Sequence, residues 1–172
     1  HMDKVGYELY SKILKEEVSG EKQFTAELDI KTGAYIPESY IESQAGRMDC
    51  YKQIAEIRSV DDYKRVLRSM EDNYGSVPDE VLNLLIIAVL KSYAAKFNVK
   101  KITVDPQGGC LELPSINSLH DVRLAAAIDN YKREITLSMA KVPMLVFRPQ
   151  STQTKTMLGM TKFLKFALSF NQ

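Results

Sequence analysis

Few side chains in this sequence have the chemistry that catalysis or metal binding usually requires. Cys50 and Cys110 are the two cysteines; they lie far apart, and neither belongs to a CxxC pattern. His120 is the one histidine besides His1. Because zinc is held by several such ligands at characteristic spacings, these residues predict no metal site. A nucleophile made of His120 and a cysteine stays open, but no neighbouring residue supports it, and we expect structural thiols and a packed or solvent-facing histidine.

Gly108-Gly109 is the glycine pair that could form a phosphate-binding loop. No lysine and no predicted helix start follow the pair, and the sequence contains neither a GxxxxGKS or GxxxxGKT P-loop nor a dinucleotide-binding fingerprint. We therefore predict a turn at these glycines. The carboxylates are scattered over predicted helix surfaces, with no pair isolated among apolar residues. These patterns point away from an enzyme and predict no bound metal, nucleotide or other cofactor.

The composition is that of an ordinary soluble globular protein, with 45% apolar and 26% charged residues. A chain of 172 residues can bury a core without disulfides or metal ions, so we predict a single domain. Two isolated cysteines, no visible signal peptide and no membrane-spanning run predict a reduced, cytoplasmic protein. His1-Met2 is typical of the remnant of a cleaved expression tag. We therefore expect the domain to span residues 3–172 and to come from a longer protein.

Basic residues are concentrated in the last part of the chain, although the net charge of the whole is only +1. After Asp129, Glu134 is the only acidic residue, and it stands against seven basic ones: Lys132, Arg133, Lys141, Arg148, Lys155, Lys162 and Lys165. A basic end can bind nucleic acid or a membrane surface. More often such charges form a solvated face beside an acidic part of the same fold, and we favour that interpretation.

Residues 76–97 are the most clearly bounded element that the sequence predicts. Ser76 and Asp79 have capping-box spacing at the start of this segment. Its middle is apolar except for Asn83, and a soluble helix that is apolar on nearly all sides must be buried on most of them. Asn98 is suited to the left-handed conformation that ends a helix. We therefore expect a central buried helix around which the core is built.

The periodicity elsewhere predicts helices on both sides of this central helix and strands mainly after it. The predicted helices cover 3–18, 45–58, 60–73, 116–133 and 151–170, and the capping-box spacing of Ser59 and Asp62 opens the third. We predict a strand over 24–30, a short extended piece at 34–37, a hairpin within 100–115, and strands over 133–138 and 143–149. The fold class is α+β: an antiparallel helical layer around the central helix at about 76–97, followed by β-hairpins with two further helices.

Three stretches of the sequence resemble the bacterial transcription-repair coupling factors, the Mfd family. The segment that follows the motor in that family is similar to VGYELYSKILKEEV, and the family stretch IPDxYIPDxxxRLxxYKRIA is similar to AYIPESYIESQAGRMDCYKQIAEI. The family stretch DRFGPLPxEVxNLLxIARLRxxAxKLGIxKI is similar to MEDNYGSVPDEVLNLLIIAVLKSYAAKFNVKKI. The three stretches cover about residues 5–104 in the family's order and spacing. The likeness thins after Pro114.

The resemblance implies that residues 3–172 form the C-terminal TRCF domain of a multidomain, ATP-driven DNA translocase. In that family the motor, which uses ATP and Mg²⁺, and the module that binds RNA polymerase lie upstream, so no cofactor is expected in this domain. The parent protein displaces polymerase stalled at DNA damage and recruits the excision-repair protein UvrA. The resemblance implies a regulatory C-terminal domain that docks on the N-terminal UvrB-like module and covers the UvrA-binding surface.

The polar face of the predicted helix over 60–73 is our candidate for the docking face. Members of the resembled family tend to carry an acidic residue where Ser69 stands, so this chain has a neutral residue at that position. We expect Glu71 or Asp72, with Arg65 and Arg68 nearby, to supply the charges instead. The candidate docking residues are Lys64, Arg65, Arg68, Ser69, Glu71 and Asp72.

Two other functions stay open from the sequence alone. The basic residues after Asp129 would suit an accessory DNA-binding module, whose affinity falls steeply with salt. A small-molecule enzyme with an unrecognised site would need a pocket that holds a strongly perturbed carboxylate or thiol. The broad apolar side of the predicted helix over 151–170 is a surface through which the domain could self-associate.

Overall fold

The computed structural model describes residues 25–170 of the protein. The predicted helix over 3–18 lies outside these residues. The described chain divides into two compact units: one spans Gly33–Val89, and the other combines the residues up to Thr32 with those from Leu90 onward. The chain passes from the first unit to the second inside a helix.

The elements follow the α+β order that the sequence predicts. Over residues 25–170 the elements, in chain order, are β1 (Glu27–Ile30), α1 (Gln44–Ala55), α2 (Val60–Tyr74), α3 (Asp79–Ala95), β2 (Lys101–Asp105), β3 (Gly108–Glu112), a short 3-10 helix (Ile116–His120), α4 (Val122–Asn130), β4 (Ile135–Met139), β5 (Pro143–Phe147) and α5 (Gln153–Leu168). Three helices precede the hairpins and two further helices accompany them. The predicted α+β class is therefore confirmed.

The third helix, α3, is the central buried helix that its apolar run predicts. Every side chain from Asn83 to Leu90 is at most 4% exposed. The one polar side chain of that run is satisfied, because Asn83 Nδ2 donates to the Gly33 carbonyl oxygen at 2.9 Å. Beyond the helix, Asn98 has φ 54°, which is the left-handed conformation predicted for it.

All five strands form one mixed sheet in the order β1-β2-β3-β5-β4. The first strand runs parallel to β2, with Leu28 opposite Ile102 and Ile30 opposite Val104. The other neighbouring pairs are antiparallel. Two parallel neighbours need a crossover connection, and here the crossover contains the whole of the first unit.

The last helix, α5, packs on β2, β3 and β5 and forms much of the core of the second unit. Its side chains Met157, Met160 and Phe163 are fully buried. Gly109 in β3 lets this helix come close, since a Cβ there would lie 2.4 Å from Met160 Sδ. The packing of α5 on the sheet also decides which of its residues stay at the surface.

The predicted turn at Gly108-Gly109 is wrong, because both glycines belong to β3. The hairpin turn consists of Pro106 and Gln107. Gly108 has φ 130°, and a Cβ there would lie 2.2 Å from the Phe147 carbonyl oxygen. Close approach of neighbouring backbone and helix therefore requires the two glycines, and a sequence pattern does not separate that requirement from a turn.

The predicted helix over 116–133 is interrupted at Asp121. This residue has an extended backbone, ends the 3-10 helix and is the N-cap of α4. Its carboxylate accepts from Arg123 N at 2.9 Å and from Arg123 Nη2 at 2.8 Å. The guanidinium of Arg123 in turn lies 4.6 Å from the centre of the Phe97 ring. As the N-cap of α4, Asp121 therefore divides the predicted helix over 116–133 into a 3-10 helix and an α-helix.

Candidate functional site

The two cysteines are not arranged as nucleophiles. Cys50 is buried in α1, where burial and then the nearby Asp49 raise the pKa of its thiol. Cys110 lies in β3, where burial and then Glu112 raise its pKa. A reactive cysteine needs the opposite shift, because the thiolate is the nucleophile. His120 is exposed at the end of the 3-10 helix.

Neither a metal centre nor a membrane span is found among residues 25–170. No three His, Cys, Asp or Glu side chains in this range are grouped so that they could hold a metal ion. No helix in the same range has both the length and the apolar character to cross a bilayer. Two surface depressions are found instead, one on α2 and one beside α5.

The first turn of α2 is held by two hydrogen bonds of the capping type. Ser59 is the N-cap, and its Oγ accepts from Asp62 N at 3.2 Å. In return, Asp62 Oδ2 accepts from Arg58 N at 2.8 Å. This second bond is the main reason why the pKa of Asp62 is lowered. The capping-box spacing of Ser59 and Asp62 therefore predicts the start of this helix correctly.

The last turn of α2 is held by Tyr40. The Tyr40 hydroxyl donates towards two carbonyl oxygens, that of Met70 at 3.2 Å and that of Gly75 at 3.0 Å. Its ring meets the Tyr74 ring edge-on, with 5.9 Å between the centroids. Gly75 ends the helix with φ 85°, and its N–H donates to the Glu71 carbonyl oxygen at 2.9 Å. Both ends of α2 are thus fixed, so its polar face is presented on a rigid element.

The polar face of α2 carries all six candidate docking residues. Five of them are exposed, and Ser69 is half-buried. A surface depression of about 500 Å³ is lined by Asp61, Lys64, Arg65, Arg68, Ser69, Asp72 and Asn73. Glu71 is exposed but does not line this depression. Asn73 was missed by sequence reasoning, although it follows Ser69 at helical spacing and Asn73 Nδ2 donates to the Ser69 carbonyl oxygen at 2.9 Å.

The charges on this face have both signs and are only partly paired. Arg65 forms an ion pair with Asp62 one turn earlier on the same helix. Among residues 25–170 the ion pairs include neither Lys64 nor Arg68. These two cations, beside the exposed carboxylate of Asp72, leave the face able to bind a partner surface of mixed charge.

The second depression, of about 460 Å³, lies where β5 ends and α5 begins. It is lined by Tyr131, Glu134, Phe147, Arg148, Gln150, Lys155, Thr156, Leu158, Gly159 and Lys162. Three of the seven basic residues of the C-terminal part are therefore brought together here. The other four do not line the depression, although all are exposed: Lys132, Arg133, Lys141 and Lys165.

Sequence reasoning found the basic residues of this second depression but not the apolar ones among them. Phe147 lies on β5 and Leu158 on α5, and each belongs to a segment that alternates or repeats like any core element. Only the packing of α5 on the sheet brings the two together. Helical spacing puts Leu158 beside Lys155 and Lys162, but no local signal could have shown that Phe147 shares their surface.

The described chain matches one family of known proteins. The model of the TRCF domain family matches residues 30–124, which is more than half of the chain. The transcription-repair-coupling factor of Bacillus subtilis (strain 168) is 31% identical, over 95% of this chain and 15% of that protein. The factor of Escherichia coli (strain K12) is 22% identical, over 79% of this chain and 13% of that protein. The chain thus spans 15% and 13% of the length of these two relatives.

The fold is similar to that of a solved structure. A crystal structure of the C-terminal domain of transcription-repair coupling factor superposes with a TM-score of 0.73. The match covers 86% of this chain and 94% of that one, at 24% sequence identity. The arrangement of helices and sheet described above is therefore that of a known domain.

Proposed function

The chain belongs to the TRCF domain family, and we propose that, as the C-terminal domain of a transcription-repair coupling factor, it regulates the parent protein by docking on its N-terminal UvrB-like module. In the docked state it covers the surface to which UvrA binds. Release of the domain exposes that surface once the parent protein engages RNA polymerase. Membership of the family supports the identification of this chain as the C-terminal domain of a coupling factor. The regulatory role of that domain is our proposal.

The rigid polar face of α2 is the observation that supports docking at this place. Its ends are fixed by Ser59 and Tyr40, so the face needs little ordering when a partner binds. Lys64, Arg68 and Asp72 are exposed beside the same depression. A surface of this kind offers separate positive and negative groups to a second protein and no deep pocket for a small substrate.

The energies fit a contact that can be released. An exposed ion pair contributes about 0–1 kcal/mol, so the face of α2 binds weakly through its charges alone. Tethering within one protein supplies an effective concentration on the order of millimolar, which compensates for this weakness. A contact held mainly by tethering is readily displaced by a ligand that prefers the undocked state.

We assign no catalytic step and no cofactor to this domain. In this proposal ATP and Mg²⁺ are used by the motor of the parent protein. UvrA and RNA polymerase are partners of that parent, and the domain affects them through docking. Direct contact with DNA is a weaker alternative that the binding experiments below also test.

The decisive experiment is a calorimetric titration of this domain with the purified N-terminal UvrB-like module of the same parent protein. We expect saturable binding that UvrA displaces and that weakens with added salt, because the docking face is charged. Arg68→Glu and Asp72→Lys should each weaken binding about tenfold, equivalent to 1.4 kcal/mol. Lys52→Glu is the matched control, since Lys52 is an exposed cation of the same unit on α1 and not on this face.

Two outcomes would contradict docking through α2. If a titration carried to millimolar concentration of the module shows no binding, the contact is too weak for the tether to hold it. If binding occurs but Lys52→Glu weakens it as much as Arg68→Glu does, the face of α2 is not the contact. Binding that UvrA fails to displace would contradict masking while leaving docking intact.

A further inference from the structure

The depression beside α5 combines apolar and basic side chains in one place. Phe147 and Tyr131 are held by edge-on contacts with Phe163, at 5.3 and 5.7 Å between ring centroids. Leu158 is a large aliphatic side chain, yet it is 36% exposed. The rest of the lining is mostly charged or polar, and apolar surface combined with positioned polar groups is typical of a binding site.

The charge of this lining is strongly positive. Lys155 and Lys162 lie on α5, and Arg148 directly follows β5. All three are exposed, and over residues 25–170 none of them is found in an ion pair. Glu134 is the single acidic residue of the lining. A ligand of this site is therefore expected to carry negative charge.

Gly159 leaves the backbone of α5 bare in the middle of this surface. Lys155, Leu158, Gly159 and Lys162 follow one another at the spacing that puts them on one face of the helix. A Cβ at Gly159 would have no atom within 4 Å among residues 25–170, so no neighbour in this range requires glycine there. Glycine inside a helix is destabilising relative to alanine. Its presence here suits close approach of a group from outside the chain.

The walls of the depression are held in place by the chain itself. Gln150 N donates to Thr156 Oγ1 at 3.0 Å, which ties the segment after β5 to the first turn of α5. Arg148 N donates to the Glu134 carbonyl oxygen at 3.0 Å, which ties the same segment to the residues before β4. A ligand would thus meet a preformed surface and pay little ordering entropy.

We propose that this depression binds a short acidic segment of a partner protein. One bulky apolar side chain of that segment packs against Leu158, and its carboxylates pair with Arg148, Lys155 and Lys162. The site lies in the second unit and shares no residue with the face of α2. It therefore goes beyond the proposed docking function and does not depend on it.

The lining favours a peptide over nucleic acid. Binding of single strands relies on aromatic faces on which bases stack. Tyr131 is packed edge-on against Phe163 and Phe166, and Phe147 is only 5% exposed. An apolar anchor surrounded by carboxylates satisfies both the apolar and the basic residues of the lining.

The test is a fluorescence anisotropy titration of the protein with a fluorescein-labelled peptide of sequence DEDLEDD. We expect saturable binding and a several-fold weaker affinity for the DEDGEDD peptide, which lacks the apolar side chain. Arg148→Glu and Lys162→Glu should each weaken binding of the first peptide about tenfold. Lys141→Glu is the control, because it makes the same change of net charge at an exposed site of the same unit outside the depression.

The Gly159→Ala variant distinguishes an effect on peptide binding from an effect on folding. The added methyl group projects into open space, so the variant should have a higher Tm than the original protein. The same methyl group occupies the surface that the peptide approaches, and we expect a several-fold loss of peptide affinity. A variant that is more stable yet binds less well cannot be explained by damage to the fold.

Three results would overturn the proposal. The first is no saturable binding of DEDLEDD up to millimolar concentration. The second is equal loss of affinity in Lys141→Glu and Lys162→Glu, which would indicate attraction to net charge alone. The third is tighter binding of a single-stranded oligothymidine than of the peptide, with a steep salt dependence, which would indicate a nucleic-acid site.

Discussion

A single hydroxyl group satisfies a buried backbone donor near α1. Ile36 is 3% exposed and lies in a segment that joins no strand, so its N–H has no ladder partner. The Tyr51 hydroxyl accepts from this N–H at 2.9 Å. Burial is the main cause of the raised pKa of Tyr51, so the phenol stays neutral at physiological pH. A side chain of α1 thus fixes the loop that precedes it.

Tyr51→Phe should lower the free energy of unfolding by about 1–3 kcal/mol, because it leaves the buried Ile36 N–H without its partner. Urea denaturation followed by circular dichroism measures the change. Tyr74→Phe is the matched control, since Tyr74 is 41% exposed. Its effect should stay within about 0.5 kcal/mol. Equal effects of the two substitutions would show that the Tyr51 hydroxyl contributes nothing specific.

Asp121 gives the second unit a pH-dependent contribution to stability. Its hydrogen bonds with the Arg123 side chain are the main cause of its lowered pKa. A carboxyl group whose pKa is lower in the folded state stabilises the fold above its ordinary pKa, near 3.9. That contribution is lost as the pH falls through the lowered value of the folded state.

Asp121→Asn keeps an acceptor at the N-cap but removes the charge. We expect it to lower the free energy of unfolding by about 0.5–1 kcal/mol at pH 7, because the half-exposed pair is partly screened by solvent. The difference from the original protein should shrink as the pH falls below ~3.9. Urea titrations at several pH values test this. Asp129→Asn is the control, because it makes the same change of charge at an exposed site of the same helix.

At the scale of elements, two glycines that look alike in the sequence have opposite roles. Gly108 opens β3 with φ 130°, and a Cβ there would lie 2.2 Å from the Phe147 carbonyl oxygen. Gly159 lies in the interior of α5 with no atom near its missing Cβ. The strand needs its glycine to pair and pack, whereas the helix does not need its glycine for folding.

Alanine at these two positions should therefore change stability in opposite directions. Gly108→Ala should lower the free energy of unfolding by at least about 2 kcal/mol, since both the backbone conformation and the contact are unfavourable. Gly159→Ala should raise it by up to about 1 kcal/mol. Thermal and urea unfolding of the pair measure both. Destabilisation by Gly159→Ala would show that this glycine has a role in folding.

At the scale of the whole parent protein, the proposed docking through α2 would be an equilibrium between a masked and an unmasked state. A substitution that weakens the docked state shifts this equilibrium without changing the UvrA-binding surface itself. The apparent affinity for UvrA then rises with the fraction of unmasked protein. We expect the domain to affect UvrA binding only by changing the fraction of unmasked protein.

Arg68→Glu in the full-length parent protein should raise its apparent affinity for UvrA about tenfold when RNA polymerase is absent. Calorimetry or surface plasmon resonance with UvrA measures the change. Lys52→Glu in the same protein should leave the affinity unchanged. If Arg68→Glu has no effect on UvrA binding, masking by this face of α2 is wrong, even where the isolated domain docks.

Local chemistry made much of the helical part predictable. Ser59 and Asp62 mark the start of α2, Gly75 marks its end, and Asn98 takes the conformation that ends the region of α3. These are contacts between residues a few positions apart, so the sequence pattern contains both partners. The apolar run around Asn83 likewise predicts burial, because a helix that is apolar on nearly all sides has no polar face to turn towards solvent.

The candidate docking face on α2 follows from the same local signals. Helical spacing alone places Lys64, Arg68 and Asp72 on one side, and the structure agrees. The depression beside α5 could not be found in this way. Its residues come from the end of β5, the segment before β4 and the first half of α5, and these meet only after the helix packs on the sheet.

The sequence by itself determined the α+β class, the central buried helix, the ends of α2 and the family resemblance, because each depends on neighbours along the chain. Only the tertiary structure decided the order of the strands, the parallel pairing of β1 with β2, and the meeting of Arg148 with the face of α5 that carries Lys155 and Lys162. The physical reason is that β-pairing and packing join residues far apart in sequence. The alternation of apolar and polar side chains along a strand shows that one face is buried, but it does not identify the neighbouring strand.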